Sequence, residues 1–455
     1  MNEDRIAGWR DAGVFRFLGF QYAPESGRAE LAYGLGDGAP LIETVTFPYA
    51  PWPPEPSRQD ALQRALRLLH YIAGVSYYKA AVPPTFESET GPIGPVLASF
   101  LDELYLQGLA EFAYVNDLDL ASRIDFGRLA VDDGSTVAPP PELVLPGRAL
   151  VAMGGGKDSL VALSLVQDQE IEVQPVCVGN SSLIEDTTRA AGLPLLRIER
   201  ALAPRLRDMN RQGALNGHVP VTAINSAILL CAAVLYGYRY VVFANERSAD
   251  EATLSGAPQG PVNHQYSKSS AFEAALRTVV AEEVSPNIEY FSILRPYSEL
   301  DIARRFSNLT QFHAVFSSCN RNFHIEGSKT ENRWCRECPK CRFTALALAL
   351  FMAPDEVTAI QGADLLDDSG QLDGFRALCR LGRDKPFECV GEAGECRAAL
   401  SALAADPKWR DHAVVRALAP ELEQVEVPVL ENLLRPSSHH FIPQELAPEG
   451  LPCGR

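Results

Sequence analysis

The chain reads as an α/β protein: a parallel sheet with helices on both faces, preceded by an α+β segment and followed by a mainly helical region. Three observations predict this. Five apolar, strand-like segments between residues 149 and 294 are mostly separated by helical patterns. A run of three glycines sits where one such strand meets a helix. Pro139-Pro140-Pro141, followed by Pro146-Gly147, reads as a linker that ends a first unit. The expected division is 1–145 for the N-terminal α+β unit, 146–350 for the central one and 351–455 for the helical remainder.

In the N-terminal unit, Val14 to Tyr22 and Ala29 to Tyr33 read as strands, and Pro48 to Pro56 as a breaker. Ser57 is expected to cap a helix whose Ala61, Leu62, Ala65, Leu68, Leu69 and Ile72 form one apolar stripe, a core-packing pattern. The central strands are expected at Ala149 to Met153, Val173 to Val178, Leu195 to Ile198, Tyr240 to Ala244 and Ile288 to Leu294. Ligands bind such sheets at the carboxyl ends of the strands. The glycine run, Asn245 to Ala249 and Arg295 to Ser298 all fall there, and Gly217 to Asn225, opening a long helix to Tyr238, joins them. Beyond residue 350 no motif is legible, and the pair His439-His440, without further ligands, reads as a surface feature rather than a metal site. The sequence carries no internal repeat.

Composition narrows the function. A chain of 455 residues, 46% of them apolar, exceeds one ordinary domain. A formal net charge of −17 argues against general nucleic-acid binding, which requires many cations to neutralise phosphates. The charged start Met1 to Arg5 has no apolar core behind it, and the longest apolar stretch, Ala223 to Tyr238, is too short to span a bilayer and is broken by Asn225 and Ser226. A cytoplasmic protein without membrane partners is expected. Its ten cysteines are therefore not read as disulfides.

Gly154-Gly155-Gly156-Lys157-Asp158-Ser159 carries the most chemistry. Glycines let the backbone approach an anion, and the N–H groups of a first helical turn attract it, while Lys, Asp and Ser suit phosphate and magnesium. A Walker loop requires Ser or Thr directly after its lysine, but Asp158 stands there. A dinucleotide fingerprint requires a third glycine that is absent. The segment resembles instead the PP-loop of the N-type ATP pyrophosphatases, Ser-Gly-Gly-x-Asp-Ser, matching at Gly155, Gly156, Asp158 and Ser159 and departing at Gly154. That resemblance implies ATP split between its α- and β-phosphates, with adenylation of a substrate oxygen.

Cys335, Cys338 and Cys341 form C-x2-C-x2-C, with Cys319 upstream, and the residues between them are polar. Four thiolates suit a closed, structural zinc site. The arrangement also resembles the zinc site of 7-cyano-7-deazaguanine synthases. Cys177 and Cys231 read as core, whereas Cys379, Cys389, Cys396 and Cys453 lack metal-like spacing. Between Arg295 and Arg342, nine basic residues face five acidic ones, which suggests either a site for a compact anion or a merely solvated basic surface.

Asn245 to Ala249, Asn263 to Lys268, Ser292 to Glu299, Ser317 to Arg321 and Trp334 to Phe343 together resemble the UDP-N-acetylmuramoyl-L-alanyl-L-glutamate epimerases of some Gram-negative bacteria. The likeness covers roughly residues 145 to 350. It implies use of ATP and magnesium to invert the terminal L-glutamate of a UDP-muramoyl dipeptide for peptidoglycan, with release of AMP and pyrophosphate. Chemically, adenylation cancels the carboxylate charge that opposes loss of the α-proton. Lys157 is expected to stabilise phosphate charge and Asp158 to sit near Mg2+. His264, Lys268 and Glu246 are alternatives for the α-proton base, and His218 and Asn225 are expected to shape the nucleotide pocket. A PP-loop amide- or nitrile-forming ligase is the alternative enzyme, and an ATP-binding regulator with a decayed loop the alternative without catalysis.

Overall fold

The computed structural model describes residues 9–50, 52–130, 138–251, 262–323, 333–382, 385–386, 388 and 390–454. Met1 to Arg5, Glu326, Lys329, Glu331 and Cys389 lie outside the described residues. The strands are β1 (Val14–Ala23), β2 (Arg28–Leu35), β3 (Leu41–Thr46), β4 (Thr85–Ser88), β5 (Ala149–Ala152), β6 (Val173–Val178), β7 (Leu196–Ala201), β8 (Tyr240–Phe243) and β9 (Glu289–Ser292). They form one nine-stranded sheet in the order β4-β1-β2-β3-β7-β6-β5-β8-β9.

The five central strands pair in parallel, as their uninterrupted apolar runs predict. The whole sheet is mixed, however. β3 runs antiparallel to β7 through Thr44 to Thr46, so the N-terminal strands extend the central sheet rather than forming a sheet of their own. An uncovered β7 edge would leave a row of unpaired backbone groups, and β3 satisfies them. The junction is locked by Arg200, whose Nε donates to the fully buried Glu43 at 2.7 Å and whose Nη2 donates to Ser76 at 3.1 Å. That buried charge also explains why β3 escapes the sequence reading: Leu41, Glu43 and Val45 all point inward, and the glutamate breaks the apolar alternation.

Period-two alternation places helices on both faces. Leu150 and Val241 face a core shared with β1, β2 and the helices Pro56–Ala73 and Val221–Tyr236. Val151 and Val242 face a second core, formed by the helices Lys157–Gln167, Glu299–Ser307 and Pro339–Ala349 and by the C-terminal helices. The residues beyond 350 are helical as expected, and Leu400 and Trp409 join this second core. The long helix ends at Tyr236, two residues before the expected Tyr238, where Gly237 supplies a left-handed turn at φ 75°. Cys177 and Cys231 are core residues, Cys379 and Cys396 are also buried, and Cys453 is exposed.

Two expectations are corrected. The first long helix starts at Pro56, with Glu55 at the cap position, so Ser57 lies inside the first turn and makes no capping bond; proline's fixed φ suits that first position. His440 is buried rather than a surface residue: Nε2 donates to the Pro452 carbonyl at 2.9 Å and Nδ1 accepts from the Ile442 amide at 3.3 Å. Both ring nitrogens are thereby engaged in packing the C-terminal segment. Among the described residues, no helix is long and apolar enough to cross a membrane.

The stripe of the first helix is buried as expected, and His70 is buried with it. Burial pushes this imidazole down to about 4, against a hydrogen bond to the Ala32 carbonyl. A histidine held neutral when folded binds fewer protons than the unfolded chain, so stability declines as pH falls from the ordinary histidine range toward 4. Thermal melts across pH 4–7 should show a decline that is shallower in His70→Gln than in the wild type.

Candidate active site

The strand order reverses at β5, with β6 and β7 on one side and β8 and β9 on the other. Such a switch point opens a crevice at the carboxyl ends of the strands. A cleft of about 250 Å³ lies there, close to the small end of ligand pockets, roughly 300–1,000 Å³.

Its floor is the glycine loop. β5 ends at Ala152, and the helix Lys157–Gln167 begins with Gly156 at its cap position and no side-chain cap. The first amides of that helix are thus left for a ligand. Gly155 sits at φ 76°, and a Cβ there would meet Leu183 and Ile184 at 3.2 Å, so both conformation and space require glycine. Gly154 has open space around it, and Ser159 donates from Oγ to the Gly156 carbonyl at 3.0 Å. Gly154, Gly156, Lys157, Asp158 and Ser159 all line the cleft.

Lys157 is almost fully buried and donates to Asp158 Oδ1 at 2.5 Å and to Glu299. Burial alone would lower its pKa, but the two carboxylates outweigh that and hold it charged. Burial, with Asp158 and Glu246 nearby, raises Glu299 despite the lysine. Two carboxylates on one ammonium, with Glu246 close to Glu299, gather oxygen donors on this wall, a set that suits a hard divalent cation. Glu299 was not foreseen from sequence; its signal is Ser298, which caps the following helix by accepting from the Asp301 amide at 3.1 Å and so points that first turn at the loop.

Glu246 and Lys268 line the same cleft, as do Asn225 and Asn245. Arg295 fixes both candidate bases from behind. It is 1% exposed, pairs with the equally buried Glu273 at 3.0 Å, and donates to the Glu246 carbonyl at 2.8 Å and the Lys268 carbonyl at 2.5 Å. The arginine expected among the ligand-facing polar groups is therefore a brace. Arg295→Ala leaves Glu273 buried without its partner, which destabilises by about 3–5 kcal/mol. A denaturant melt should register that loss, and an unchanged midpoint would contradict the bracing role.

His264 stands beyond Lys268 and hydrogen-bonds Glu111, a residue of the short helix Ala110–Val115. His218 faces the same carboxylate at 3.7 Å, one turn before the cleft residue Thr222. Glu111 had no signal in the sequence, since nothing local marks a carboxylate of the N-terminal segment as a neighbour of residue 264.

The four cysteines converge. Cys335 Sγ and Cys338 Sγ lie 3.8 and 3.5 Å from Cys341 Sγ, and all four ligand atoms lie within 4.8 Å of one another. Tetrahedral zinc with Zn–S of about 2.3 Å requires sulfurs about 3.8 Å apart, so the donor set fits that metal. Amides of Cys335 and Cys338 point at Cys319 Sγ and Cys335 Sγ at 3.4 and 3.3 Å, the polar support thiolates require. This knuckle buttresses the glycine loop: the Ser317 amide donates to the Gly155 carbonyl at 3.2 Å, and a Cβ on Gly156 would sit 3.1 Å from Ser318 Oγ.

The basic patch does not converge on an anion site. Arg304 and Arg305 pair with Asp301, Arg321 with Glu337, and Arg333 with Asp186, while Lys340 alone of the described patch lysines and arginines lines the cleft.

Against known proteins, residues 8–293 match the family profile described as the MurL N-terminal domain, and residues 315–431 that of the MurL C-terminal domain. Three relatives carry the name UDP-N-acetyl-alpha-D-muramoyl-L-alanyl-L-glutamate epimerase. The one from Xanthomonas oryzae pv. oryzae is 45% identical over 95% of this chain and 96% of its own length. That from Salinispora tropica is 42% identical over 90% and 89%, and that from a Micromonospora species 39% identical over 96% and 98%. With both profiles matched in order and full-length relatives at this identity, the chain belongs to the MurL family.

Proposed function

We propose that this protein is an ATP-dependent epimerase that inverts the terminal L-glutamate of UDP-N-acetylmuramoyl-L-alanyl-L-glutamate, supplying D-glutamate for peptidoglycan from the cytoplasm. The observation that carries the reading is the placement of an uncapped glycine loop, acidic oxygen donors and candidate bases around one cleft at the strand switch point, in a chain of this family.

The loop amides and Ser159 suit the phosphates of ATP, consistent with a PP-loop fold. Ser318 Oγ is buried in the cleft wall without a partner among the described residues and supplies a hydroxyl beside the loop that has Gly154 in place of serine. Asp158, with Glu299 and Glu246 nearby, suits Mg2+, which would neutralise developing phosphate charge. The cysteine knuckle suits a structural zinc that keeps the loop in shape. Adenylation removes the carboxylate charge, so that a base in the cleft takes the α-proton and the carbonyl oxygen takes up the electron pair. Glu246, Lys268 and His264 are the groups available for that step.

The test supplies purified protein with ATP, magnesium and the UDP-muramoyl dipeptide, with and without ammonium. Release of AMP and pyrophosphate that depends on the dipeptide, with D-glutamate in the acid hydrolysate, supports the reading. An amide or nitrile product with L-configuration would replace it by the ligase.

A further inference from the structure

We propose that Glu111 and His264 form the acid–base dyad of epimerisation, with His264 touching the α-proton and Glu111 acting as its positioning residue. The inference rests on the epimerase reading and selects among its candidate bases.

A general base requires a proton-accepting atom at the substrate and a second group that fixes its orientation. His264 has such an orienter: its Nδ1 is hydrogen-bonded to Glu111 Oε2. A carboxylate on Nδ1 sets the tautomer, turns Nε2 to the far edge of the ring and stabilises the imidazolium that forms when a proton is taken. Glu246 and Lys268 have their backbones braced by Arg295, which fixes where they stand.

The dyad is assembled from distant parts of the chain. Glu111 comes from the N-terminal segment, His264 from the loop after β8, and His218 from the turn entering the helix Val221–Tyr236. All three side chains are partly buried, between 17% and 25% exposed. The His218 and His264 rings lie 4.5 Å apart at 48°. Burial raises the Glu111 carboxyl, but the bond to His264 and the nearby imidazoles outweigh it and keep the group ionised. Burial, with His264 and Lys268 nearby, pushes His218 down to about 4, so His218 is a neutral neighbour at physiological pH.

The dyad also adjoins the cleft. Lys268 lines it one short turn after His264, the Lys268 amide donating to the Gln265 carbonyl at 2.7 Å, and Asn263 anchors the segment by donating to the Ala249 carbonyl at 2.9 Å. On the other side, Thr222 lines the cleft one turn after His218. The dyad therefore lies next to two lining residues of the cleft, Thr222 and Lys268, without being part of the lining itself.

In the step, the α-C–H bond breaks, its proton passes to the His264 imidazole, and its electron pair moves onto the activated carbonyl oxygen. A water molecule gives a proton to the opposite face of the α-carbon as the enolate oxygen returns its electron pair and the carbonyl re-forms; the hydroxide left behind takes the proton held by His264, and a second water attacks the acyl carbon, releasing AMP and the carboxylate. The same three side chains could in principle ligate a divalent cation, since their donor atoms lie within 4.8 Å of one another. Lys268 places a positive charge near His218, which opposes a divalent cation there.

The test uses the full chain with ATP, magnesium and dipeptide in deuterated water, reading AMP release and α-deuterium incorporation separately. His264→Gln should lose exchange at least about 100-fold while AMP release persists and returns the L-dipeptide. Glu111→Gln should slow exchange about tenfold or more and move the acidic limb of its pH profile to lower pH, because the carboxylate no longer favours the imidazolium. A merely structural role would depress AMP release and exchange together, without moving the limb, and would overturn the proposal. So would a Glu111→Gln enzyme exchanging at the wild-type rate, or a metal equivalent beyond that of the four cysteines that disappears in His264→Gln. A wild type that forms neither AMP nor deuterated product would instead defeat the epimerase reading, and the dyad with it.

Discussion

Asp158→Ala should leave a folded protein that releases essentially no AMP, with turnover reduced by about 10³-fold or more. Asp158 is the half-exposed partner in the Lys157 cluster, its side chain 32% exposed against 3% for Lys157, so its removal barely alters packing. It does alter the charge of the cleft. Lys157 retains Glu299 and stays charged, but the oxygen donor nearest the loop, where a metal-bound triphosphate would sit, is gone. Dipeptide-dependent AMP release measured beside a thermal melt separates the two effects. An unchanged melt with lost AMP release is expected, and full activity would remove the loop from the account.

Cys338→Ser is expected to act on folding rather than on chemistry. Structural zinc contributes about 10–16 kcal/mol of apparent binding free energy in small domains, and a site reduced from four thiolates to three loses much of it. Here the knuckle holds Ser317 and Ser318 against Gly155 and Gly156, and Cys341 begins the helix Pro339–Ala349 that packs in the second core. The variant should therefore lose its zinc and most of its soluble yield together. A soluble, active and zinc-free Cys338→Ser protein would contradict a structural metal.

What the sequence discloses follows from how local each signal is. β6 falls at Val173–Val178 as read, because a parallel strand buried on both faces is a continuous apolar run bounded by polar turns. The glycine loop and the cysteine spacing are equally local; the loop lines the cleft, and the four sulfurs lie within 4.8 Å of one another. β3 was invisible because its pattern contains a buried glutamate whose partner, Arg200, lies 157 residues away. β4 is four residues long and takes its meaning from pairing with β1. Glu111 and the bracing role of Arg295 are illegible for the same reason: each is defined by a partner far along the chain, at residues 264 and 273. The patch of arginines misled because charge counted along a segment does not reveal the carboxylates that fold back onto it.

The most direct test of the central claim follows the α-carbon itself. Wild-type protein is incubated with ATP, magnesium and UDP-N-acetylmuramoyl-L-alanyl-L-glutamate in deuterated water, and the glutamate is recovered and resolved by configuration and mass. The account predicts D-glutamate carrying one deuterium at the α-carbon, formed with AMP and pyrophosphate and absent when ATP is withheld. D-glutamate without deuterium, or inversion that proceeds without ATP, would contradict it.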